Sequence, residues 1–175
     1  MARIVVKDTS VVIDLVNGEL IETWFELGYE TWITDAVASE LRRGQQFDLV
    51  EPFIEDGRIK LEKVPDSESL PWLTAVQSYS QRMRISFADG SSIICAEKLG
   101  AALLTGDGRM KKVAERERKL EVRGILWVFD ELLSLEVLDY GTAIESLGSI
   151  LDAGARLPLK EVQARLAEWE EKAIW

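Results

Sequence analysis

Two short apolar runs, each closed by an aspartate and each leading into a helical pattern, constrain this chain more than any other feature. The first is Ile4-Val5-Val6, which reaches Asp8 through Lys7. The second is Ala101-Ala102-Leu103-Leu104, which reaches Asp107 through Thr105-Gly106. Short apolar runs bounded by helix-entry signals read as buried strands of a parallel sheet. Such sheets gather their chemistry outside the carboxyl ends of their strands. If the two strands lie side by side, Asp8 and Asp107 share one edge. Two further acids stand at informative places: Asp89 opens the helical pattern SFADGSSIICAEKLG, and Glu40 lies on the helix that TDAVASEL begins. Carboxylates converging on one edge repel, by roughly 4 kcal/mol per pair at about 4 Å and an effective dielectric of about 20. Protonation or a bound divalent cation relieves that repulsion.

The rest of the chain alternates in the same way. Strands are expected over 3–7, 30–33, 58–64, 101–105 and within 120–127. Helices are expected over 11–17, 19–27, from Thr34 or Asp35 to near Gly44, over 46–53, 70–83, 88–99 and 109–119, and from the last strand to about Leu138. This order predicts an α/β fold, a three-layer α/β/α sandwich with a central parallel sheet. Residues 140–175 break the alternation. Ile144, Leu147 and Leu151 mark one amphipathic helix that Gly154 can stop, and Val162, Leu166 and Trp169 mark another. The reading is a main unit over 1–139 and a helical extension over 140–175.

Composition narrows the chemistry. The chain has 175 residues, 47% of them hydrophobic, which suits a packed globular domain. No run approaches a membrane span, MARIVVKD lacks a signal-peptide layout, and a single cysteine excludes an internal disulfide, so a cytoplasmic location is expected. Histidine is absent, which removes Ser-His-Asp and Cys-His mechanisms and every His-ligated zinc site. The net charge of −10 argues against tight nonspecific nucleic-acid binding through a basic face, and suits a basic partner protein.

Taken singly, Asp8, Asp89 and Asp107 each read equally well as helix caps, and Glu40 as a solvated helical residue. Together they form a set with small or hydroxyl neighbours: Thr9, Ser10, Ser91, Ser92, Thr105 and Gly106. At these residues the chain closely resembles the PIN-domain family, in particular its VapC-type toxin ribonucleases. The matching segments are IVVKDTSVVIDL, ITDAVASEL and ISFADGSSIICAEKLGAALLTGDGRM, and the resemblance covers about residues 3–126. Met110 stands where many members carry an aromatic residue.

The resemblance implies a metal-dependent endoribonuclease with Asp8, Glu40, Asp89 and Asp107 as catalytic and metal-binding acids. It also implies RNA as substrate, a small antitoxin protein as partner and a homodimer; the helical extension is one candidate dimer contact. Oxygen-only ligands select Mg²⁺ or Mn²⁺ over zinc. Asp8 and Asp107 are expected to bind a first metal directly, with Asp89 and Glu40 acting through water or recruiting a second ion. Ser10 and Thr105 are expected to orient Asp8, Asp107 or a bound water. Arg42, Arg43, Arg82, Arg84, Arg109, Lys111 and Lys112 each lie near one of the acids in sequence and can hold RNA phosphates or simply be solvated surface. Cys95 reads as core. Trp24, Trp32 and Trp127 fall in apolar runs and read as buried, whereas Trp72, Trp169 and Trp175 are candidates for a partner surface. A receiver domain wants adjacent acids after the first strand, a haloacid-dehalogenase-type phosphatase wants two aspartates spaced by one residue, and a dinucleotide fold wants a GxGxxG, none of which is present. The alternative from another class is a non-catalytic PIN-like interaction module.

Overall fold

A computed structural model describes residues 3–64 and 66–174. Its centre is a five-stranded, wholly parallel sheet in the order β3-β2-β1-β4-β5. The strands are β1 (Ile4–Lys7), β2 (Glu30–Ile33), β3 (Ile59–Leu61), β4 (Ala102–Leu104) and β5 (Val122–Arg123). β1 lies between β2 and β4, with Val5 opposite Ala102 and Lys7 opposite Leu104. The two strands that lead into Asp8 and Asp107 are therefore neighbours, which meets the condition set for the two acids to share one edge.

Side chains alternate across β1, and each face meets its own apolar layer. Val5 joins Ala102 and Leu104 in a cluster with α1 (Thr9–Asn17), α2 (Ile21–Trp24) and α8 (Ile125–Ser134). Val6 and Leu103 face the opposite layer, built from α5 (Asp66–Met83), α6 (Phe87–Leu99) and α7 (Gly108–Arg118). A third cluster joins Ile33 and Ile59 to α3 (Asp35–Arg43) and α4 (Phe47–Glu55). The result is the three-layer α/β/α sandwich, and Cys95 lies buried in its second layer.

The last two helices, α9 (Tyr140–Asp152) and α10 (Leu159–Ala173), pack into the first cluster with Ala143, Leu147, Ile150, Val162 and Trp169. Each large apolar side chain buried there contributes about 1.5–3 kcal/mol. Trp169 thus corrects its reading as a partner surface: it is 2% exposed and tilted against Phe129 at 5.3 Å between ring centroids. Trp72 is half-buried, edge-on to Phe87, and Trp175 lies outside the described residues. Trp24 is fully buried, while Trp32 and Trp127 are half-buried.

Several boundaries move. Ser86, not Asp89, caps α6, because Asp89 sits one turn in and completes a capping box with it. Asp107 caps α7, and Thr34 caps α3 through a bond from the Val37 N–H at 3.2 Å. The final strand, expected within 120–127, is Val122–Arg123, and Trp127 is helical, since Gly124 in extended conformation starts α8 directly after Arg123.

Candidate active site

Asp8 occupies the first position past β1. Its backbone N–H continues the ladder to the Leu104 carbonyl at 2.9 Å, which brings it beside Thr105 at the end of β4. The side chain is 4% exposed, and its Oδ2 accepts hydroxyl hydrogen bonds from Ser10 and Thr105, both at 2.9 Å. Thr105 Oγ1 in turn accepts the Asp107 backbone N–H at 3.0 Å, and Ser10 Oγ accepts the Gly106 N–H at 2.9 Å. Ser10 and Thr105 therefore orient Asp8 directly, and Thr105 also pins the turn that carries Asp107. Asp107 Oδ1 accepts the backbone N–H groups of Arg109 and Met110, both at 2.8 Å. No hydrogen bond to Asp107 Oδ2 occurs among the described residues, and the turn is exposed.

The other two acids arrive on α3 and α6. Thr9, next to Asp8, donates a short hydrogen bond from Oγ1 to Glu40 Oε2 and so ties α1 to α3. Thr34 and Ser91 share a buried hydroxyl hydrogen bond of 2.8 Å that ties the start of α3 to α6. Asp89 spends one oxygen in its capping box, Oδ2 accepting the Ser86 N–H at 3.0 Å. Both Glu40 and Asp89 are half-buried.

The four acids share one electric field. Burial first, and then the Asp89 charge, push Asp8 up to about 6, against the opposing hydrogen bonds from Thr105, Ser10 and the Thr9 backbone. Burial likewise raises Asp89, its Ser86 bonds oppose this, and the charges of Asp107 and Glu40 raise it further. Four carboxylates from four elements thus act on one another. Among the described residues, however, no three of them are drawn together as a ready cation cage. The set still suits a hard dication: every donor is oxygen, Asp8 is held by two hydroxyls on one oxygen only, and the repulsion is of the kind a cation removes.

Three cavities are lined by Glu40 or Asp107, and none of them by Asp8 or Asp89. One of about 450 Å³ holds Glu40, Arg43, Trp72 and Phe87. One of about 330 Å³ holds Asp107, Lys111 and Arg123. A third, of about 320 Å³, holds Ser10, Asp14 and Asp107. Of the seven basic residues expected near the site, Arg43 and Lys111 line a cavity with an acid; Arg42, Arg82, Arg84, Arg109 and Lys112 line none of the three. Arg42 lies over the Phe47 ring at 4.2 Å and Arg82 over Tyr79 at 5.8 Å, which gives both a packing role.

Sequence reasoning missed two residues at this rim. Asp14 is buried on α1, and burial pushes its carboxyl up to about 6. Its place directly after the apolar run Val11-Val12-Ile13 and before Leu15 was the available signal for burial. Arg156, far along the chain, lines the two cavities that also hold Asp107.

A family model described as a PIN domain matches residues 4–171. No curated protein and no solved structure matches the chain.

Proposed function

This chain belongs to the PIN-domain family, whose fold is of the nuclease type, and we propose that it is a metal-dependent endoribonuclease, the toxin of a toxin–antitoxin pair. One observation carries the reading: Asp8 and Asp107, at the ends of adjacent parallel strands, are joined through the Thr105 hydroxyl, while Asp89 and Glu40 complete the same electrostatic set.

Asp8, Asp107, Asp89 and Glu40 would hold Mg²⁺ or Mn²⁺. When bound, the ion supplies Lewis acidity toward a phosphodiester and a water acidic enough to attack it. The chain's own residues set the frame. Ser10 and Thr105 fix the plane of the Asp8 carboxylate, and Thr9 anchors Glu40. Arg43, in the cavity with Glu40, and Lys111, in one with Asp107, would hold backbone phosphates. Trp72 and Phe87 beside Arg43 offer faces on which an unpaired base can stack, which favours single-stranded RNA. An antitoxin with a basic tail fits the net charge of −10, and the homodimer and cytoplasmic location belong to the same reading.

The alternative is a non-catalytic PIN-like interaction module. Cleavage of a labelled single-stranded RNA separates the two. The nuclease reading expects cleavage that needs Mg²⁺ or Mn²⁺, stops with chelator and is lost in Asp89→Asn and Asp107→Asn. Metal-dependent cleavage by the purified variants at the wild-type rate refutes the assignment of these acids, and RNA binding with no metal-dependent turnover in the wild type supports the module instead.

A further inference from the structure

The turn between α9 and α10 meets the Asp107 side of the acid site. The two cavities there are separate spaces, yet both are lined by Gly106, Asp107, Arg156 and Leu157. The turn therefore faces the acid-bearing turn across a narrow divide, although some fifty residues of chain separate them. Its backbone is well fixed. Gly154 stops α9 at φ 97, a left-handed conformation that glycine adopts without strain. The Gly154 and Ala155 N–H groups bond back to the Leu151 and Ile150 carbonyls. Ala155 and Leu157 pack on the first apolar cluster, and Pro158 leads into α10. Arg156 is thus presented from a braced turn.

Its charge is also available. Arg165, on the same cavity wall, is held in a two-pronged pair with Asp130 at 2.9 and 2.6 Å. Arg123 is turned to Glu121 at 3.2 Å, and Lys111 reaches Glu115 at 4.0 Å. Among the described residues Arg156 is exposed and has neither an ion pair nor a side-chain hydrogen bond. In a chain of net charge −10, an unpaired guanidinium beside an exposed aspartate is placed for an anion that arrives with the substrate. A planar guanidinium matches phosphate oxygens in a two-point contact.

We infer that the α9–α10 turn forms one wall of the nucleic-acid groove and that Arg156 binds a substrate backbone phosphate next to Asp107. Arg156 is a positioning residue in this account, and the helical extension belongs to the substrate site. The inference rests on the nuclease reading. It predicts a contact that strengthens binding of substrate and transition state alike.

The test measures cleavage of single-stranded RNA by wild type, Arg156→Gln, Arg156→Lys and the control Lys160→Gln, with thermal melts of each. Salt dependence of RNA binding is measured in the Asp8→Asn background with and without Arg156→Gln. The expected result for Arg156→Gln is a KM raised about 5- to 20-fold with kcat within about threefold, as for loss of uniform binding. Arg156→Lys restores part of the KM because it keeps the charge, and Lys160→Gln matches wild type. The slope of log affinity against log salt falls by about 0.7, one phosphate contact on a single strand. Unchanged KM and salt slope in Arg156→Gln overturn the inference while leaving the nuclease reading intact. Absence of metal-dependent cleavage in the wild type overturns both.

Discussion

Thr105→Val is the sharpest perturbation of this site, because it keeps the shape of the side chain and deletes one oxygen. That oxygen donates to Asp8 Oδ2 at 2.9 Å and accepts the Asp107 N–H at 3.0 Å, and Thr105 is 4% exposed. A bond to a charged group contributes about 1.5–3 kcal/mol and a neutral one about 1 kcal/mol. Losing both in a nearly water-free position costs about 2–4 kcal/mol. For a domain of this size that is a drop in Tm of about 5–12 °C. The pH dependence has a definite sign. Asp8 stands at about 6 in the folded chain against an ordinary 3.8. The folded state therefore holds the proton more tightly than the unfolded state, and the charged carboxylate costs stability once pH rises through that range. The Thr105 bond opposes this shift, so removing it raises Asp8 further, and the destabilisation is larger near pH 8 than near pH 4. RNA cleavage should fall about 10- to 100-fold, the usual effect of removing a group that orients a metal-binding carboxylate. Thermal melts at the two pH values and initial rates at saturating Mn²⁺ check both parts. Equal melting temperatures at both pH values, together with cleavage within about twofold of wild type, refute the assignment of Thr105 as the bridge between the two aspartates.

Other changes probe the surrounding frame. Lys7 is buried on β1 with Nζ 3.2 Å from the Trp24 ring centroid and no hydrogen-bond partner, and burial holds its pKa well below the ordinary value. The unfolded chain then binds the extra proton, so this group costs stability at neutral pH, and the cost fades as pH rises toward about 10.5. Lys7→Met should stabilise the protein by about 1–3 kcal/mol at pH 7, read by urea denaturation, with the gain shrinking in alkaline buffer. Gly90→Ala should destabilise by about 1–3 kcal/mol, because its new Cβ would lie 1.9 Å from Ser80 Oγ where α6 crosses α5. Asp14, raised to about 6 by burial, is costly when charged, above that pH, and costs nothing below its unfolded range. Asp14→Asn should therefore raise Tm near pH 8 and leave it unchanged near pH 3.5.

The parts of this molecule that local pattern determines were readable from its residues. Ile4-Val5-Val6 and Ala101 to Leu104 are short apolar runs bounded by helix-entry signals, which favours buried strands, and an aspartate after each is a local event. The pairing of those strands is not local, yet the alternation of strand and helix leaves few other arrangements. Glu40 and Asp89 were visible as acids on helices, but the ties that bring them in, Thr9 to Glu40 and Thr34 to Ser91, join residues 31 and 57 positions apart. Trp169 was misread for a related reason. Its spacing from Val162 defines a face, and only the tertiary fold reveals that Phe129 lies under it. Leu120 to Trp127 does hold the last strand, but its limits were not readable, because a short apolar run has no period that separates strand from helix. Arg156 carried no local signal at all: its significance comes from a turn whose neighbour is Gly106-Asp107.

Binding of Mn²⁺, followed by titration calorimetry on wild type and Asp8→Asn, tests most directly whether these carboxylates form one centre. The wild type should bind the ion, and the loss of one buried charge at position 8 should weaken it at least about tenfold, with thermal stability retained or raised. Equal affinity in the two proteins, or a wild type that takes up no Mn²⁺, would contradict the account.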